Sequence, residues 1–182
     1  MIRTLLTFIF IYGSLAAVAQ EAQFQTYSAD LLVIASKDND NIQWQNKDIR
    51  VTLNYKNGNI KIVIKDNDFY NKQSQIRVKE DNGFENQEFL FVGNLPINQI
   101  NNQKTINQDY DVELQLTNND ISLSEVINFK MNVMRPNQNA TSYRVFTLTG
   151  ILYNDVLNLP AFKGYNNEVE IRVIFNVYWN GE

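Results

Sequence analysis

Strict alternation of apolar and polar side chains is the feature that most restricts this chain. In "YDVELQL" it places Tyr110, Val112, Leu114 and Leu116 on one side, and in "VINFKMNV" it gathers Ile127, Phe129, Met131 and Val133. A period of two is that of a pleated strand with one face buried. The longest run, "EVEIRVIFNVYW", sets Val169, Ile171, Val173, Phe175, Val177 and Trp179 against Glu170, Arg172, Ile174, Asn176 and Tyr178. In "SYRVFTLTGILY" Arg144, Phe146 and Leu148 share one face and Tyr143, Val145 and Thr147 the other, so this strand is apolar on both. "YSADLLVIAS" and "EFLFVG" are apolar runs of strand length, whereas no segment keeps a helical period over three turns. "LPINQINNQ" has room for one turn of helix.

Residues 47–66, "KDIRVTLNYKNGNIKIVIKD", read as a β-hairpin. Ile49, Val51, Leu53 and Tyr55 alternate on one arm, Ile60, Ile62 and Ile64 on the other, and Asn57-Gly58 lies between. Asn-Gly tolerates positive φ at both central positions and so predicts a two-residue type I′ turn. Tyr55 then faces Ile60, Leu53 faces Ile62 and Val51 faces Ile64. With the hairpin arms the chain shows eight strands separated by polar turns, the spacing of an all-β sandwich or barrel. The strand from Val169 to Trp179 would be a hazardous free edge, and pairing it with the strand around Leu31 to Ala35 closes the sheet.

The first nineteen residues stand apart. Arg3 supplies a basic start, Leu5 to Tyr12 an apolar run, and Ala17-Val18-Ala19 a small-x-small cleavage signal. This is the pattern of a secretory signal peptide, cut near Ala19. The apolar run is shorter than the ~20 residues that span a bilayer. Residues 20–182 suit one domain, and the expected location is periplasmic or secreted. No second stretch is apolar enough to cross a membrane as a helix. The formal charge is −4, and removing the leader takes away a cation, so neither a nucleic-acid partner nor a general attraction to anionic lipid is expected.

The chain has no His and no Cys. That excludes Ser-His-Asp and Cys-His nucleophiles, a His/Cys zinc site, and lipidation on a cysteine after the leader. No glycine-rich phosphate loop appears. Glu168 and Glu170 share a strand face, the arrangement of an acid/base pair but also of a solvated edge, and the solvated edge is the expectation. Asp38 with Asp40, and Asp66 with Asp68, lack the spacing of a calcium loop and read as turns. Asn139 begins an "NAT" sequon. Asn-rich segments sit between strands, which points to loop chemistry. No catalytic residue, metal or cofactor is expected. Phe89, Phe91, Phe129, Phe146, Phe162, Phe175 and Trp179 suit a lipid pocket or a dry core, and alternation alone favours the core. An eight-stranded barrel is of the size at which either occurs.

In this order the residues resemble the YceI-like family of secreted bacterial proteins. The likeness lies in "VIASKDNDNIQWQNKDIRVTLNYKNGNIKIVIKDNDFYNK", in "FVG" at Phe91 to Gly93, in "YDVELQL" followed by "INFKMNV", and in "NNEVEIRVIF". "GILYNDVLNLP" is more weakly similar, with Asp155-Val156 at the family's Asp-Phe position. The chain departs from the family in "KQSQIRVKEDNGFENQE" after the hairpin and in the longer turn "TNNDISLSEV". The resemblance implies an eight-stranded antiparallel lipocalin-like barrel. It implies a non-enzymatic binding protein whose interior takes a polyisoprenoid or fatty amphiphile. The lining would be Val51, Leu53, Ile62, Ile64, Phe89, Phe91, Phe129, Met131 and Phe175. The other reading is a structural or interaction protein with a filled barrel, acting through its loops.

Overall fold

The computed structural model describes residues 23–25, 28–38, 40–74, 77, 87–135, 143–157 and 162–178. The leader, the Asn139 sequon, Trp179 and most of the segment after the hairpin lie outside them. The strands are β1 (Gln23–Gln25), β2 (Ala29–Lys37), β3 (Asp40–Asn46), β4 (Arg50–Asn54), β5 (Asn59–Lys65), β6 (Tyr70–Asn71), β7 (Glu88–Asn94), β8 (Asn107–Asn118), β9 (Leu123–Met134), β10 (Tyr143–Tyr153) and β11 (Glu168–Tyr178). Two short helices, α1 (Ile97–Asn101) and α2 (Asn154–Leu157), follow β7 and β10. Among the described residues no helix is long and apolar enough to cross a membrane.

All strands belong to one antiparallel sheet, in the order β1-β4-β5-β7-β8-β9-β10-β11-β2-β3-β6. Among the described residues the sheet therefore has eleven strands and not the expected eight. The three additions are β1, β3 and β6. In β3 only Ile42 and Trp44 are apolar, and β1 and β6 are two or three residues long, so none carries a visible alternating run. The expected closure is present. β11 pairs with β10 on one side and with β2 on the other, from Val169 opposite Ala35 to Phe175 opposite Ala29.

β3 and β4 lie near opposite ends of the strand order yet are separated by residues 47–49 alone. They act as one bent strand. Its first half pairs with β2 and its second with β5, which curls the sheet into a barrel-like shape. The bend is fixed by Asn46, whose Oδ1 accepts from Asp48 N at 2.8 Å and whose Nδ2 donates to Lys65 O at 2.8 Å. The short strands β1 and β6 cover the outer edges of β4 and β3, where open hydrogen-bonding groups would invite other chains.

The hairpin differs from the expected turn. Leu53 faces Ile60 and Val51 faces Ile62. The loop is four residues, 55–58, and not two. Asn54 is the cause. It is buried, its Oδ1 accepts from Lys56 N and Asn57 N at 2.9 and 3.4 Å, and its carbonyl accepts from Gly58 N at 2.8 Å. Gly58 takes φ +82°, while Asn57 stays at negative φ, so the type I′ turn does not form. A Cβ on Gly58 would also lie 2.2 Å from Leu95 O, and Gly58 O accepts from Leu95 N at 2.8 Å. The slip relative to expectation is two residues. An even slip keeps every side chain on its face, so the apolar arms still point inward.

The same device closes the β8–β9 hairpin. Buried Asn118 accepts from Asp120 N at 2.9 Å and Ile121 N at 3.3 Å, and the fourth loop residue, Ser122, has φ +53°. Asn71 caps the turn after β6 by accepting from Gln73 N and Ser74 N, both at 2.9 Å. Asn54, Asn71 and Asn118 are thus turn caps that satisfy backbone donors the ladder has just released.

Candidate functional site

Because each long strand turns alternate side chains inward, the barrel interior is a continuous apolar cluster. Val51, Leu53, Ile62, Ile64, Phe91, Phe129, Met131 and Phe175 all belong to it, and Phe89 packs against it partly buried. The residues expected to line a cavity are therefore brought together. Their packing is tight. Phe146 and Phe175, directly opposite on β10 and β11, stack with centroids 4.9 Å apart and planes at 4°. Phe91 and Phe129 meet edge to face at 5.6 Å. Gly150, opposite Phe129, leaves room for that ring: a Cβ there would come within 2.9 Å of it. Val51, Leu53, Ile62, Met131 and Phe175 are each 0% exposed.

Two depressions formed by the described residues lie elsewhere. One of about 630 Å³ is on the outer face of β8–β9–β10, bordered by Glu113, Val126, Asn128, Thr149, Ile151 and Tyr153. A second of about 340 Å³ lies beside Pro96, Gln99, Gln108, Asp109 and Tyr110.

The two ends of the barrel differ. Towards one end, Trp44 packs on Phe162 and Tyr165, with centroids 5.7 and 5.5 Å away, so the β10–β11 connection is held against the core. At the other, buried Leu95, Ile97 and Ile100 on and before α1 cover the strands. Under α1 the interior is polar. Arg144 follows the inward parity of Phe146 and Leu148, and its side chain is only 3% exposed. Tyr55 and Tyr110, which feel its charge, are buried too, as is Gln103, whose amide donates to Val133 O at 3.1 Å.

Burial pushes the Tyr55 phenol from 10.0 to about 12, against the opposing pull of the Arg144 charge and a hydrogen bond from it. Burial also raises Tyr110, with Arg144 and Arg135 opposing. The Tyr55 shift carries a pH prediction. Between the unfolded value and about 12 the unfolded chain loses a proton that the folded chain keeps. Stability from this group is therefore complete below pH ~10 and lost as pH rises through 12, by about 3 kcal/mol for two units. Urea denaturation from pH 9 to 12 should show this loss in the native chain, and Tyr55→Phe should lack that component.

The acidic candidates lie on strand surfaces and in turns, and Asp66 alone among them is buried. Glu170 Oε1 pairs with Arg172 at 2.7 Å on the same strand. Asp66 Oδ1 accepts from Gln87 N at 2.7 Å, Asp68 lies 3.8 Å from Arg77, and Asp38 occupies the β2–β3 turn with φ +55°.

No family profile matches the chain, and no curated protein matches it. A solved structure does: a polyisoprenoid-binding domain from Saccharophagus degradans implicated in plant cell wall breakdown. It superposes with a TM-score of 0.66 over 87% of this chain and 99% of its own, at 12% identity. The two share a fold. This barrel-like sheet is thus the architecture of a domain described as binding polyisoprenoids, built here from an almost wholly different sequence.

Proposed function

We infer that this protein binds the apolar chain of a polyisoprenoid or similar lipid inside the barrel, as an exported, periplasmic or secreted, non-enzymatic member of the YceI-like family. The observation that carries the reading is the unbroken apolar lining from the β4–β5 hairpin across to β11, in a fold shared with a polyisoprenoid-binding domain. Each methylene taken out of water contributes ~0.8 kcal/mol. A long chain therefore needs few polar contacts, and a binding protein of this kind needs no reactive side chain.

One observation favours a second reading, a structural or interaction protein with a filled barrel: the central side chains are almost wholly buried, and Phe91 with Phe129 and Phe146 with Phe175 are in ring contact. Native mass spectrometry of protein purified from its own host, with a Phe129→Trp variant beside it, separates the two. Under the binding reading the native chain carries a lipid adduct and the variant carries less. Because Phe129 lies against Gly150 and Phe91, the added volume should also cost about 1–3 kcal/mol. A folded variant and a folded native chain that both lack lipid would leave only the filled barrel.

A further inference from the structure

The ladder between β9 and β10 is complete at one end only. Its register runs from Val145 opposite Met134 to Gly150 opposite Phe129 and stops there. β9 nevertheless extends back to Leu123, paired with β8 on its other side, and β10 extends on to Tyr153, paired with β11. Among the described residues, 123–128 and 151–153 therefore have a strand neighbour on one side only. The split begins where the Phe129 ring lies against Gly150. The outer depression of about 630 Å³ lies at this split, with Ile127, Phe129 and Gly150 also in its lining.

The lips of the split are apolar and the charge around them is negative. Val126 is 59% exposed, and Ile151 and Tyr153 are exposed too, while their neighbours Ile127 and Leu152 are buried. Lys130 is paired with Asp111 and Arg172 with Glu170. Exposed Glu113 and Glu168, opposite Asn128 and Tyr153, have no ion pair among the described residues. An open ladder edge presents backbone N–H and C=O groups at strand spacing, and those groups need donors and acceptors in return. A peptide backbone offers both along its length, whereas a hydrocarbon chain offers neither. A second copy docked about a two-fold axis would bring the same carboxylates against each other.

We propose that the split between β9 and β10 is a strand-addition site, which takes an extended, basic segment of a partner protein. The segment pairs with the open edges of both strands, six residues long on β9 and three on β10. Its inward side chains are apolar and extend the rows of Ile127 and Leu152. Its outward side chains lie against Val126, Ile151 and Tyr153, where the stem of a lysine packs while its charge reaches Glu113 or Glu168. Main-chain bonds supply the affinity of such a site, and the alternate side chains its specificity. This inference does not depend on what the barrel holds, and it stands with either reading of the interior.

Fluorescence anisotropy with a labelled seven-residue peptide that alternates valine with lysine or threonine, combined with amide hydrogen exchange of the full chain, tests it. The native chain should bind this peptide at least tenfold more tightly than one with glutamate in place of lysine. Glu113→Lys combined with Glu168→Lys should reverse that preference. Both residues are exposed, so the variant keeps the core, and circular dichroism verifies its fold. N-methylation of alternate residues removes the peptide's donors along one edge and should weaken binding at least tenfold. Amide exchange at 123–128 and 151–153 should slow when the peptide binds. Absence of binding, or undiminished affinity of the N-methylated peptide, overturns the site. Protection confined to β1 or β6 also overturns it, by putting the peptide at the ends of the sheet. Protection of the split in a dimer without peptide assigns it to a second copy, and protection by geranylgeraniol alone assigns it to lipid entry; either result overturns the proposal.

Discussion

A chain that stops at Asn167 is expected not to fold. The deletion removes β11, which hydrogen-bonds to β10 along its whole length and to β2 from Val169 to Phe175. It also takes Val169, Ile171, Val173, Phe175 and Val177 out of the core. At 1.5–3 kcal/mol for each buried large aliphatic or aromatic side chain, the loss is comparable with the 5–15 kcal/mol that stabilises a whole domain. Two long strand edges would open at the same time. Circular dichroism and a thermal melt of the truncated chain provide the check. A cooperative transition like that of the intact chain would show that β11 is an accessory and that the barrel closes without it.

Phe175→Ala should cost about 3–5 kcal/mol, the range for an aromatic side chain removed from a packed interior. Phe175 is fully buried and stacked on Phe146. Phe146→Ala should cost a similar amount, and the double variant should lose less than the sum, because the stacking contact can be lost only once. Coupling of about 0.5–1.5 kcal/mol is expected for such a pair. Urea denaturation of the four chains measures it. A cost below about 1 kcal/mol for either single variant would mean that the rings border open space, which would favour a preformed lipid channel over a packed interior.

Which parts of this architecture were legible in the sequence follows from what fixes them. Facing depends on parity, and parity is written residue by residue, so the inward rows of β4, β5, β8, β9 and β11 were readable from alternation. The pairing of β11 with β2 was readable because a long alternating strand has few ways to avoid an exposed edge. The count of strands was not, because β3 is built mostly of Asp, Asn and Gln and finds its place by pairing with β2. The hairpin turn was misread because Asn-Gly was weighed without Asn54, whose side chain accepts two backbone donors and lengthens the loop. The chamber under α1 left one overlooked signal: Arg144 stands in a row with Phe146 and Leu148, where a charge is out of place. Tyr55, Gln103, Tyr110 and Arg135 come from four other segments, and only the curl of the sheet brings them to it.

The order in which the chain can fold is set by the same closure. The β4–β5 and β8–β9 hairpins are encoded locally, each with its own Asn cap, and pairs of this kind form in about 1–10 μs. β2 is made early and its partner β11 late, so the contact from Val169 to Ala35 spans most of the described chain. Loop-closure entropy has to be met before such a contact yields any stability. Until β11 has been synthesised, β2 has one edge without its native neighbour and the interior cannot close around its aromatic rings. During that interval the chain is open to misassociation through the same strand that later seals it. Nascent chains arrested before β11 should therefore be captured by holdase chaperones, and release of the final strand should end the capture.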